Sequence, residues 1–141
     1  MAGCSIDESS PHFQQLREHW KKHGYRSIDT DLEDAFTNIR KDIHANQWKH
    51  VARFSAVLSF VREGVRYDYR LYKYRQKNRA AREGARGGWR IYAVFDPRKS
   101  ILYPVVVFPK KEMEDASDDT INEAVEALLK VFQANLFTEP Q

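Results

Sequence analysis

Cationic side chains recur in three neighbouring segments of the chain and are the residues best suited to chemistry. Lys73 and Arg75 occupy alternate positions of one segment, and Arg90 lies in the next. Lys110 and Lys111 follow a third segment. If these segments are adjacent antiparallel strands, alternation brings the cations onto one sheet face. Such a face would bind phosphate groups, whereas the alternative is an ordinary solvent-exposed face of a half-covered sheet.

The charge distribution favours a polyanionic partner. Residues 62–99 hold twelve Lys or Arg against four Asp or Glu, a net charge of +8. The rest of the chain holds 11 basic and 16 acidic residues, a net charge of −5. Nucleic acid is the first candidate partner, although a solvated rim that serves solubility explains the charge equally well.

Aromatic residues are interleaved with these cations, and they are able to stack on unpaired bases. Trp89 precedes Arg90, and an arginine-rich loop connects the first two segments. We therefore expect RNA contacts from a set of basic and aromatic residues, which comprises Lys77, Arg79, Arg82, Arg86, Trp89 and Lys110.

Other chemistries have weaker signals. The loop glycines fit neither a P-loop nor a dinucleotide fingerprint. His19 and His23 have the spacing of a metal-binding pair, but no cysteine or nearby carboxylate completes a tetrahedral set. Cys4 is the only cysteine, and it lies near a chain end where it is a poor nucleophile. We therefore expect neither a metal nor a cofactor.

Composition predicts one cytoplasmic domain over residues 1–141. The hydrophobic fraction of 42% is enough for one modest core. No apolar run approaches the roughly 18 residues of a membrane span. The first residues lack the basic and apolar regions of a secretory signal, and a single cysteine forms no intrachain disulfide.

Two helices are predicted ahead of the cationic segments. Ser10 and Pro11 begin the first helix as a capping hydroxyl and a first-position proline, and Gly24 ends it. A capping box at residues 30–33 begins the second. We expect a helical hairpin over residues 8–45.

An antiparallel sheet is predicted over residues 52–109. Residues 46–64 give a mixed signal that favours a strand, and alternation predicts strands at 69–76 and 89–95. Pro104 lies within the last, nearly continuous apolar segment, and it argues for an edge position or a bulge because it lacks an N–H group.

A last helix is predicted over residues 117–133, capped by Ser117 and marked by an apolar stripe at helical spacing. The order helix, helix, strands, helix predicts an α+β fold. In it, a small antiparallel sheet packs with an N-terminal helical hairpin and a C-terminal helix.

This order of motifs resembles the toxins of the RelE/ParE superfamily, from type II toxin–antitoxin systems. The resemblance extends over residues 70–129, and the early helices match more loosely. It rests on short motifs in a fixed order: Tyr72-Lys73, Gly88-Trp89-Arg90, Phe108-Pro109-Lys110-Lys111 and the helix after Ser117. It implies a RelE-like mRNA endonuclease that acts on the ribosome and is neutralised by a cognate antitoxin.

The resemblance also implies the chemistry. The ribose 2′-hydroxyl attacks the adjacent phosphate without a metal ion, leaving a cyclic phosphate and a free 5′-hydroxyl, and fixed cations stabilise the transition state. Lys73 and Arg75 match the basic pair of the first core strand. Arg90 matches the phosphate-contacting arginine, and Lys111 falls near another catalytic arginine.

Three departures from the family pattern stand out. Ser117 is near the position of a tyrosine in some members, which leaves Tyr92, Tyr103 or Glu112 as candidates for proton transfer. No strand is evident before the first helix. Residues 46–65 form a longer segment than the pattern requires.

Three other functions remain open. A ParE-like inhibitor of DNA gyrase would lack nuclease residues, so the presence of Lys73, Arg90 and Lys111 argues against it. A non-catalytic RNA-binding module needs only the basic patch and the aromatic residues. A protein-interaction domain would use its basic rim for solubility alone.

Overall fold

The computed structural model describes residues 5–44, 51–76, 88–96, 100–112 and 116–132. These residues form three helices and five strands, which makes the fold α+β. The elements in chain order are β1 (Ser5–Ile6), α1 (Pro11–Lys22), α2 (Ile28–His44), β2 (Val51–Arg62), β3 (Val65–Gln76), β4 (Trp89–Asp96), β5 (Ile101–Pro109) and α3 (Asp118–Phe132).

The strands form one mixed sheet in the order β1-β5-β4-β3-β2. Strands β2 to β5 pair antiparallel, as predicted, but β1 pairs parallel with β5. The Ser5 N–H group donates to the Ser100 carbonyl at 3.0 Å, and the Asp7 N–H group donates to the Leu102 carbonyl at 2.9 Å. The expectation that no strand precedes the first helix is therefore wrong, because two residues are too short to show an alternating pattern.

The helical hairpin is present, with one corrected boundary. Ser10 caps α1, because its hydroxyl oxygen accepts a hydrogen bond from the Phe13 N–H group at 3.3 Å. Helix α2 begins at Ile28 and not at Thr30, so the predicted capping box is wrong. Both Ile28 and Asp31 are fully buried, and their burial sets the start of the helix.

Two irregular positions shape the sheet as the sequence predicts. Glu63 and Gly64 connect β2 to β3 with φ angles of 52° and 78°. Two successive positive φ angles suit the twist of a two-residue hairpin turn. On β5, Pro104 pairs with Ala93 while Val106 pairs with Tyr92, so Val105 is the extra residue of a bulge.

Both faces of the sheet are covered, which gives the core two layers. The helix α3 covers one face with the predicted apolar stripe, and the side chains buried there include Leu71, Tyr92, Val94, Phe108, Ile121, Val125 and Leu128. The helical hairpin covers the other face, with Phe13, Leu32, Ile39, Tyr72, Tyr74, Trp89 and Ile91 among its buried side chains. The cations of β3 and β4 must therefore be considered against these two layers.

Candidate nucleic-acid site

The strand register brings three predicted cations onto one sheet face. Arg75 on β3 lies directly opposite Arg90 on β4, and Lys73 lies opposite Tyr92. Residues directly opposite each other on paired strands share a face. We call Lys73, Arg75 and Arg90 the cationic face.

The cationic face continues the side of the sheet that α3 covers. The Tyr92 hydroxyl accepts a hydrogen bond from the Ala116 N–H group at 3.4 Å, and the Tyr69 hydroxyl donates to Asn122 Oδ1 at 2.5 Å. Because β3 runs from Tyr69 towards Arg75, α3 begins near Tyr92 and runs away from the cations. The helix therefore leaves this end of the face uncovered by its own turns.

Lys73 is held over an aromatic ring. Its Nζ atom lies 5.7 Å from the centroid of the Tyr92 ring, and Tyr92 in turn stacks on Phe108 at 6.0 Å. An ammonium group in this position is attracted by the ring electrons. Sequence reasoning considered Tyr92 only for proton transfer, although its alternation with Arg90 on the same strand was a signal for this contact.

Arg90 is a correction to the sequence prediction of an arginine that projects to a phosphate. Its side chain is only 2% exposed, and its Nη1 atom donates to the Trp89 carbonyl at 3.2 Å. The cause is its place in an inner strand, with Arg75 on one side and Phe108 on the other. Its positive charge is therefore beneath the surface of the site.

Arg75 has the opposite character. It is exposed, and within the described part of the chain it has no hydrogen bond or ion pair. Two like charges directly opposite each other on paired strands destabilise a sheet. A bound anion would relieve this repulsion between Arg75 and Arg90.

Lys110 and Lys111 are exposed in the turn that follows β5. The Lys110 N–H group donates to the Gly88 carbonyl at 2.9 Å, which fixes this turn beside the start of β4. The turn therefore lies at the same end of the sheet as Arg90, where the sequence predicts it.

Glu112, a candidate for proton transfer, is engaged elsewhere. Its Oε1 atom accepts a hydrogen bond from the Tyr25 hydroxyl at 2.9 Å. Tyr25 lies in the connection between α1 and α2, on the hairpin side of the sheet. Sequence reasoning did not single out Tyr25, because no local pattern signals a contact between residues so far apart in the chain.

Trp89 is a second correction, since the sequence predicts that it contacts RNA. The residue is 0% exposed, and its Nε1 atom donates to Asp31 Oδ2 at 2.9 Å. The Ser27 hydroxyl donates to the same carboxylate oxygen at 2.9 Å. Trp89 thus belongs to the core beneath the helical hairpin, where no base is able to stack on it.

Tyr103 is also unsuited to proton transfer. Burial, helped by the negative charges of Asp7 and Asp96, raises the pKa of its hydroxyl group to about 12. A phenol with so high a pKa is a weak source of base at neutral pH. Of the two tyrosines considered, Tyr92 is the one whose hydroxyl lies at the start of α3.

Some predictions fall outside this description. The loop cations Lys77, Arg79, Arg82 and Arg86 lie outside the described residues. The rings of His19 and His23 stack at 4.2 Å. Among the residues with described positions, no group of three or more His, Cys, Asp or Glu side chains is arranged to hold a metal ion.

Two further observations complete the description. No helix within the described ranges has the length and apolar character needed to cross a membrane. Comparisons with the known protein families, with curated proteins and with solved structures found no match.

Proposed function

We propose that this chain is a RelE-like toxin of a type II toxin–antitoxin system, an endoribonuclease that cleaves mRNA on the ribosome without a metal ion. The observation that carries the proposal is the pairing of Arg75 with Arg90 on one sheet face, with Lys73 beside them. The strand β1 adds support, because it removes one departure from the family pattern. The order of hairpin, sheet and closing helix is also consistent with the resemblance.

The cationic face suits a reaction that concentrates negative charge on a phosphate. In the proposed step the ribose 2′-oxygen forms a bond to phosphorus, and the bond from phosphorus to the 5′-oxygen breaks. The transition state carries more negative charge on the phosphate oxygens than the substrate does, so fixed cations lower the barrier.

Each cation has a distinct part in this proposal. Arg75 is exposed, and its planar guanidinium contacts two phosphate oxygens at once. Arg90 acts from beneath through its positive charge. Lys73, held over Tyr92, is the titratable side chain of the face and the candidate that exchanges protons with the 2′- and 5′-oxygens.

The proposed partners follow from the proposed reaction. The substrate is mRNA in the ribosomal decoding site, so the protein would act in the cytoplasm, and a cognate antitoxin would cover the site. Lys110 and Lys111 would contact RNA phosphates at the end of the sheet. Contacts of this kind weaken steeply as salt concentration rises.

A matched pair of variants tests the proposal. Arg75 and Arg70 are both exposed on β3, but Arg70 lies opposite Phe95, on the hairpin side of the sheet. With purified protein and programmed ribosomes, Arg75→Gln is expected to lower the mRNA cleavage rate by about 100- to 1,000-fold. Arg70→Gln is expected to leave the rate near that of the wild type.

The control on folding is the urea midpoint of both variants. Because Arg75 faces a like charge, its replacement is expected to leave stability unchanged or slightly raised. Equal cleavage rates for Arg75→Gln and the wild type would contradict the site, whatever the stability.

A second candidate is a non-catalytic RNA-binding module, and the burial of Arg90 favours it. A guanidinium that is 2% exposed does not reach a phosphate without movement of its neighbours. This candidate predicts salt-sensitive ribosome binding that Arg75→Gln weakens, with no RNA scission by any variant.

A further inference from the structure

Tyr25 connects two parts of the molecule that are distant in the chain. Its hydroxyl group donates to Glu112 Oε1 at 2.9 Å, across a separation of 87 residues. Glu112 ends the turn at residues 110–112, in which its own N–H group donates to the Pro109 carbonyl at 2.9 Å. The bond therefore ties the connection between α1 and α2 to the turn that carries Lys110 and Lys111.

The ring of Tyr25 is itself held in place by two indoles. It meets Trp20 edge-on at 5.8 Å and Trp89 edge-on at 5.3 Å. Each indole is anchored by its own N–H group, Trp20 to the Val107 carbonyl at 2.8 Å and Trp89 to Asp31 at 2.9 Å. The Tyr25 hydroxyl is therefore a fixed point against which an exposed turn is held.

We propose that Tyr25 is a positioning residue for RNA binding. Through Glu112 it holds the turn at residues 110–112, so that Lys110 and Lys111 are already ordered when RNA phosphates arrive. This inference rests on the proposed RNA-directed function of the cationic face. A turn that is ordered before binding strengthens affinity, because less conformational freedom is lost on binding.

The charge of Glu112 and its position have opposite effects on RNA binding. A carboxylate next to two lysines opposes a polyanion, whereas its hydrogen bond to Tyr25 orders those lysines. Tyr25→Phe removes one hydroxyl group, keeps the ring between the indoles and changes no charge at neutral pH. Glu112→Gln removes the negative charge and keeps an acceptor oxygen for Tyr25.

The test measures binding of the full chain to a single-stranded RNA by fluorescence anisotropy at several salt concentrations. Tyr25→Phe is expected to raise Kd threefold to tenfold. It should also flatten the salt dependence by up to two phosphate contacts, at about 0.7 units of slope for each contact. Glu112→Gln is expected to bind as tightly as the wild type or more tightly.

Three further readouts separate positioning from a general loss of folding. In ribosome-dependent cleavage, Tyr25→Phe should raise KM and leave kcat within twofold, and its urea midpoint should match the wild type. Backbone hydrogen exchange of residues 110–112 should be faster in the variant. Adding Tyr25→Phe to Glu112→Ala should have no further effect on affinity, because both changes remove the same bond.

Two results would overturn the inference while the proposed function stands. One is a wild-type chain that binds RNA, with Tyr25→Phe unchanged in Kd and in salt dependence. The other is a loss of affinity matched by a loss of folding stability. A wild-type chain that binds neither RNA nor ribosomes would overturn the proposed function, and the RNA role of Tyr25 with it, even where exchange at residues 110–112 accelerates.

Discussion

At the scale of single residues, Arg75 and Arg90 differ most in their surroundings although they face each other. Arg75 is exposed, whereas Arg90 is 2% exposed between two neighbouring strands. Alternation along β3 and β4 was sufficient to predict that both lie on one face. It was insufficient to predict their burial, because exposure depends on the strands and loops that pack beside each residue and not on spacing within its own strand.

Trp89 shows the same limit and leads to a prediction about stability. Its N–H group donates to the carboxylate of Asp31, which is fully buried. Trp89→Phe removes a hydrogen bond to a buried acceptor that carries charge, so it is expected to lower the free energy of unfolding by about 2–3 kcal/mol, lost packing included. Urea denaturation measures this loss.

Trp20→Phe is the matched control for that experiment. The Trp20 indole donates to a neutral carbonyl group and is only partly buried. Its loss is expected to cost about 1 kcal/mol, since hydrogen bonds between neutral groups contribute less. A smaller loss from Trp89→Phe than from Trp20→Phe would contradict the assigned role of Asp31.

At the scale of elements, the strongly periodic segments were predictable and the junctions were not. The apolar stripe of α3 and the alternation of β3 and β4 each repeat often enough to identify the element. The strand β1 spans two residues, and α2 begins at Ile28 through burial that no capping motif signals. Both depend on contacts with distant parts of the chain.

The helical hairpin also carries an ion-pair network. Asp29 on α2 accepts hydrogen bonds from Lys21 at 2.7 Å and from Arg17 at 2.8 Å. These two hydrogen bonds lower the pKa of the Asp29 carboxyl below its ordinary value of 3.8. The ionised group therefore stabilises the fold above pH 3.8, and this contribution is lost as pH falls through the lower pKa of the folded state.

Asp29→Asn is expected to lower the free energy of unfolding at neutral pH by less than about 1 kcal/mol, because the ion pairs are largely exposed. The difference from the wild type should vanish as the pH falls below about 3. Glu33→Gln, an exposed change on the same helix, is the control and should show no such pH dependence. A difference that persists at low pH would assign the effect to packing.

At the scale of the whole molecule, the two covered sheet faces place the site at one end of the sheet. Helix α3 covers one part of a face and begins near Tyr92, so the cations beyond it are grouped at the sheet end with the turn at residues 110–112. The fold class, the helical hairpin and the shared face of the cations were predictable from local periodicity. The bond between Tyr25 and Glu112 was not, because only the assembled fold brings these residues together.

The most direct test of the central claim is the end chemistry of mRNA incubated with programmed ribosomes and the wild-type chain, mapped at nucleotide resolution. The account predicts a cut in the ribosomal A site that leaves a 2′,3′-cyclic phosphate and a free 5′-hydroxyl, because the 2′-oxygen is the nucleophile. Intact mRNA on ribosomes that have bound the protein would contradict the nuclease and favour the non-catalytic RNA-binding module. A cut that leaves a 5′-phosphate would contradict attack by the 2′-hydroxyl.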